Sequence, residues 1–164
     1  MEPFRFRHRN EFVAWIGTFG YTQSATLVFN AYTYQQHRPD LPARKFGTYA
    51  AWDYLKRLHG RLDRIALGRD WYKKPSSERV QSVTLVQNIK SNLHLHMLWR
   101  SPHFEQKLVE ALPGIWEKLV HSGDAENRAI QPDDHIYWYD TIQLADDSFK
   151  FASEFHPFTT TSTV

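Results

Sequence analysis

An alternation in the middle of the chain constrains the fold more than any other feature. Leu93 to Arg100 reads LHLHMLWR, with His94 and His96 interleaved between Leu93, Leu95 and Met97. Successive side chains of a strand point to opposite faces, so the two histidines share one face and the apolar residues share the other. Val80 to Gln87, VQSVTLVQ, is a second β-branched run, and only the polar stretch NIKSN separates the two. That connection suits a hairpin. A hairpin with one apolar face must bury that face, which calls for helices packed against it.

Helical spacing supplies them. Between Phe46 and Leu67, Ala51, Leu55, Leu58, Leu62 and Ile65 recur on one side, and Gly68 follows. Ser101-Pro102 predicts the opening of a second helix with Leu108, Leu112, Ile115 and Leu119 on one face. Ser24 to Tyr34, SATLVFNAYTY, reads as a strand, and the proline-containing QQHRPDLPARK after it reads as a loop. Gly68 to Arg79, GRDWYKKPSSER, and His121 to Arg128, HSGDAENR, also read as loops. A last strand is expected over His135 to Leu144 and a short aspartate-capped helix over Asp146 to Phe155. The order strand, helix, strand, strand, helix, strand predicts an α+β, ferredoxin-like antiparallel sheet with helices on one face. One domain over residues 1–158 is expected, with 159–164, TTSTV after Thr159, as a frayed tail.

Two neutral imidazoles side by side can chelate one divalent cation. Two donors hold a metal weakly, so a third ligand is expected. Gln87 is the candidate, because it ends the preceding strand and a hairpin returns it beside His94. The plain alternative is a chance pairing in a chain with nine histidines.

The stretch VTLVQNIKSNLHLHMLWR resembles the second motif of the HUH endonucleases, the family of rolling-circle replication initiators, relaxases and related transposases. His94, Leu95 and His96 match the family's His-hydrophobic-His, and Gln87 stands where the viral initiators often carry a glutamate. SATLVFNAYTY falls where the family's first motif, a hydrophobic strand, would lie. The likeness spans residues 24–155, with the histidine strand its specific part. It implies a HUH-like fold, Mg²⁺ or Mn²⁺ as cofactor, and single-stranded or hairpin DNA as partner.

The resemblance also implies a tyrosine nucleophile, on a helix after the histidine strand, that attacks a metal-polarised phosphate. The family motif is a tyrosine followed a turn later by lysine. In DDSFKFASEF, Phe151 stands at the tyrosine position and Glu154 at the lysine position. Phenylalanine has no oxygen with which to attack. Either Tyr137 or Tyr139 in the predicted strand serves instead, or the chain is a degenerate member whose nicking chemistry is lost, or the tyrosine was replaced by design. The departure at two positions, with Gln87 at the acidic one, favours degeneration. Aromatic packing is the ordinary role for Tyr137, Trp138, Tyr139 and Phe151.

Charge is divided along the chain. Residues 1–79 carry 14 Lys/Arg against 7 Asp/Glu, and residues 80–164 carry 6 against 11. Arg57, Arg61 and Arg64 form a stripe on the first helix, extended by Lys56 and Arg69. Lys73, Lys74 and Arg79 continue it through the next loop, interleaved with Trp71 and Tyr72. Cations for phosphates and aromatics for bases equip a single-strand groove. A solvated helix face balanced by Asp63 and Asp70 is the competing explanation. Arg5, Arg7 and Arg9 form an alternating arm that could touch a backbone as well.

The chain has no cysteine, which excludes disulfides, thiolate zinc sites and cysteine nucleophiles. No apolar run reaches the roughly 18 residues of a membrane span. MEPFRFRHRNEF lacks the apolar core of a secretory signal. The expectation is therefore a cytoplasmic, HUH-like DNA-binding protein of a replication or mobile-element context, phage or plasmid. The alternatives are an active tyrosine nickase and a non-enzymatic regulator or inhibitor. The regulator would bind DNA, or a protein through the acidic second half with Asp133, Asp134, Asp146 and Asp147. A metal-dependent hydrolase using Asp140 with the histidines is a further alternative, against which the basic surface argues.

Overall fold

The structure, a computed structural model, describes residues 14, 17–30, 48–87, 93–121 and 123–131. In chain order these form β1 (Gln23–Val28), α1 (Thr48–Leu67), β2 (Gln81–Gln87), β3 (His94–Arg100), α2 (Glu105–Val120) and β4 (Asp124–Ala129). The strands make one antiparallel, open, four-stranded sheet in the order β2-β3-β1-β4. The fold is α+β. No described helix is long and apolar enough to cross a membrane.

The register sorts every strand residue onto a face. Ala25, Leu27 and Phe29 of β1 and its exit join Leu93, Leu95, Met97 and Trp99 in one core. Ala51, Leu55, Leu58 and Leu62 of α1 and Leu108, Leu112, Trp116 and Leu119 of α2 complete it. Leu95 and Met97 thus bury themselves under the helices, as the alternation predicts. The alternate residues Thr26, Val28, His94 and His96 belong to the opposite face.

On α2, Trp116 rather than Ile115 is the buried residue of its turn. Its indole packs edge-on against Phe29 at a centroid distance of 5.1 Å, and Nε1 donates to the Val28 carbonyl at 2.9 Å. The helix begins at Glu105, later than the expected opening at Ser101-Pro102. The four residues before it form a turn in which Phe104 adopts a left-handed backbone, φ 52°. Glu105 organises that turn: its carboxylate accepts from the Ser101 backbone N–H, Thr22 Oγ1 and Gln23 Nε2.

The largest departure from expectation lies at 124–129. HSGDAENR reads as a loop, but Asp124–Ala129 forms β4, paired to β1 along its whole length. Its sequence is polar because, among the described residues, it is the outermost strand with exposed residues on one side, so it carries no apolar alternation to read. Among the described residues, β4 is the last element of the order strand, helix, strand, strand, helix, strand. The predicted strand at 135–144, the helix at 146–155 and the arm with Arg5, Arg7 and Arg9 lie outside the described residues, as does the tail at 159–164.

Candidate metal and nucleic-acid sites

His94 and His96 stand on β3, an interior strand of the sheet, on the face turned away from the helices. Their rings meet edge to face, with centroids 5.1 Å apart. His96 is buried, 9% exposed, and burial, helped by the neighbouring His94, lowers its pKa to about 4. Its imidazole is therefore neutral at physiological pH, the form that ligates metal. Thr26, directly across on β1, brings Oγ1 to 3.4 Å from His96 Nδ1. A partner at one ring nitrogen fixes the ring and directs the other nitrogen, as it does for metal-bound imidazoles.

Gln87 pairs with His94 in the β2–β3 register. The expected placement beside the histidine thus holds at the level of the backbone. Two adjacent imidazoles, one of them neutral by burial, are of the donor type that suits a divalent cation. Among the described residues, no three His, Asp or Glu side chains converge as a metal set. Asp124 and Glu126, missed as strand residues, lie in register with Val28 and Thr26, hence one strand beyond the histidines. That puts Glu126 and His96 roughly 10 Å apart at the backbone, two strand spacings of ~4.8 Å.

The basic residues occupy a different part of the molecule. Arg57, Arg61 and Arg64 are exposed on α1, whose apolar side faces the sheet. The connection from α1 to β2 folds back on the helix through two short 3-10 turns, Trp71–Lys73 and Ser76–Glu78. Trp71 lies against Gly60, its ring 3.4 Å from the position a Cβ would take there. Arg79 sits over the Trp71 ring at 5.6 Å and donates to the carbonyls of Tyr72 and Lys74. Arg57 is paired with Asp53 at 2.8 Å and Lys73 with Asp70 at 3.0 Å. Tyr72 is exposed, with the Lys73 ammonium 5.5 Å from its ring centre.

The structure does not bring the two candidate regions together. The α1–β2 connection enters the sheet at Gln81, which pairs with Arg100 at the far end of β3 from His94. Six residue steps of strand separate His94 from Arg100, about 20 Å at ~3.3 Å per residue. The stripe on α1 is moreover on the opposite side of the sheet from the histidines. Tyr137, Tyr139, Asp140, Phe151 and Glu154 lie outside the described residues.

Two further polar features are invisible in the sequence pattern. His59 Nε2 lies 2.8 Å from Ser82 Oγ beneath α1, and burial drops the pKa of His59 to about 4. One turn on, Asp63 is 3% exposed and accepts the Val80 N–H at 2.7 Å, with burial raising its pKa to about 6. Both residues sit on the flank of α1 that the loop covers, so they hold the entry of β2 to the helix. No protein-family model, curated protein or solved structure matches the chain.

Proposed function

We propose that this chain is a HUH-like protein of a replication or mobile-element context that binds single-stranded or hairpin DNA. The observation that carries the reading is the placement of His94 and His96 side by side on an interior antiparallel strand, on the face free of the two described helices. The sheet order β2-β3-β1-β4 with its two helices is compatible with the ferredoxin-like arrangement that this reading requires. His94 and His96 would hold Mg²⁺ or Mn²⁺, with Gln87 as the third ligand. Such an ion, when bound, polarises a phosphate. The chain's own contribution is to keep His96 neutral by burial and to orient its ring through Thr26.

A binding-only descendant is the second reading, and the separation of the cationic surface from the histidines favours it. Affinity located there does not depend on the histidine face.

Labelled single-stranded and hairpin oligonucleotides, incubated with the protein and Mn²⁺ and run on a denaturing gel, separate the two. A shortened strand or a protein-linked band that His94→Ala abolishes supports the nickase, with Tyr137 and Tyr139 tested next. Intact strands across a diverse pool, together with retained DNA affinity, support the binding-only protein. Absence of both metal and DNA binding would sink the HUH-like reading.

A further inference from the structure

We infer that the α1–β2 connection, clasped onto the outer side of α1, is a docking surface for single-stranded nucleic acid that works independently of the histidine face. The juxtaposition behind it is a pre-shaped loop carrying the exposed ring of Tyr72 among cations with no ion pair among the described residues, beside the exposed ring of Phe104 on the β3–α2 turn.

The clasp comes first. Gly60 has no side chain, so the Trp71 ring reaches the helix surface there, and Arg79 covers the ring from above. The Arg79 guanidinium spans the loop by donating to the carbonyls of both Tyr72 and Lys74. The backbone from 70 to 79 is thereby fixed before any ligand arrives, which lowers the ordering cost of binding. Trp71 and Arg79 are consumed in this construction. They shape the surface rather than face a ligand.

What the clasp presents is Tyr72, 56% exposed, with Lys74 beside it. Lys56, Arg61, Arg64, Arg69 and Lys74 are exposed and make no ion pair among the described residues. Arg57 and Lys73 are already balanced by Asp53 and Asp70. A field of unpaired cations attracts a polyanion, and exposed rings offer stacking surfaces to bases.

The neighbouring β3–α2 turn adds a second ring. Pairing of Gln81 with Arg100 brings this turn beside the end of the loop, and His103 Nε2 lies 4.0 Å from Glu78 across the gap. There Phe104 is 67% exposed and held in the left-handed region, a conformation unfavourable for an aromatic residue. Tyr72 and Phe104 are the two large hydrophobic side chains that the described residues leave exposed, and both lie at this end of the sheet. Stacking on such rings needs unpaired bases, so single strands are the fitting ligand and duplex is not.

This surface shares only its ligand class with the proposed function and would stand if the histidine face proved inert. The test is fluorescence anisotropy of a labelled oligodeoxythymidylate of about 16 nucleotides, titrated with the full chain in EDTA. Binding is expected to persist in EDTA and in His94→Ala. Tyr72→Ala and Phe104→Ala are each expected to weaken it by about tenfold. Lys74→Glu should weaken it and reduce its salt dependence by about one phosphate contact. Both aromatic side chains and Lys74 are exposed, and thermal melts should confirm that the variants fold. Affinity that leaves with EDTA or His94→Ala would place binding at the histidines and overturn the inference while sparing the proposed function. Variants that bind like the parent, preference for duplex, or equal binding of polyglutamate would each overturn it as well, the last by marking a surface for acidic proteins.

Discussion

Trp116 Nε1 donates a 2.9 Å hydrogen bond to the carbonyl of Val28, the last residue of β1, and Val28 is the register partner of His94. The core of α2 is thus fastened to the strand end that flanks the histidine pair. Gly123 makes the arrangement possible, because a Cβ there would lie 2.6 Å from Trp116 Nε1 and 2.9 Å from Val120 Cβ. Gly123→Ala must displace the indole, and a loss of about 1–3 kcal/mol is expected. Trp116→Phe leaves the site open but removes the donor and part of the core, at a cost of about 2 kcal/mol. Urea denaturation measures both. A Gly123→Ala protein as stable as the parent would show that Trp116 is not held as described.

Gln87 sits across the ladder from His94, so on the proposed reading it is the position where metal affinity is most readily changed. Gln87→Glu replaces a neutral oxygen donor with a charged one and is expected to tighten Mn²⁺ binding by about tenfold. His94→Ala removes one of two imidazoles and should abolish binding in isothermal titration. Tightening in Gln87→Glu that persists in the His94→Ala background would mean that the cation sits elsewhere.

Stability should depend on pH with opposing contributions. His59 and His96 titrate near 6.5 when unfolded and at about 4 in the fold. Between those values the unfolded chain binds more protons, so each histidine makes the fold less stable as pH falls from about 6.5 to 4. Asp63 has its folded pKa raised from 3.8 to about 6, so its term runs the other way and favours the fold as pH falls through that window. Each group contributes a slope of up to about 1.4 kcal/mol per pH unit. Two histidines against one aspartate leave a net loss of stability on acidification. Denaturant melts in EDTA from pH 7.5 to 4.5 should show it, and Asp63→Asn should steepen it. A steeper fall is expected because the variant keeps an oxygen acceptor for the Val80 N–H but loses the compensating proton uptake.

Much of this architecture is legible in the sequence because the alternation in β3 and the helical spacing of α1 answer to burial. Leu95 and Met97 go to the helices and His94 and His96 to the other face, and a five-residue connection in the sequence leaves little choice of register, so the backbone of Gln87 pairs with His94. Asp124–Ala129 is illegible for the converse reason. A polar strand, outermost among the described residues and held by backbone bonds to β1, has no apolar pattern, and its composition is that of a loop. The basic stripe is legible as charge but not as location. Spacing along α1 says which arginines share a side, whereas only the packing of that helix shows them to be across the sheet from the histidines. The surroundings of Trp71 are equally unreadable from spacing: its ring is covered by Arg79 and set against Gly60.

That clasp gives a prediction resting on the shape of a side chain rather than its charge. Arg79 spans two carbonyls and a ring with one planar group, using Nε and Nη2 together on Lys74 and Nη2 on Tyr72. Lysine carries the same charge but a single ammonium, which cannot reproduce that fork or stack on the indole. Arg79→Lys should therefore behave like Arg79→Ala. Both should speed amide hydrogen exchange across residues 71–78 and shift Trp71 emission toward that of an exposed indole. Global stability should fall by only about 1 kcal/mol, since the loop is peripheral to the core. Gly60→Leu, which pushes the ring off the helix from the other side, should give the same local signature. Protection of the loop restored by lysine would mean that charge alone, acting at a distance, holds it in place.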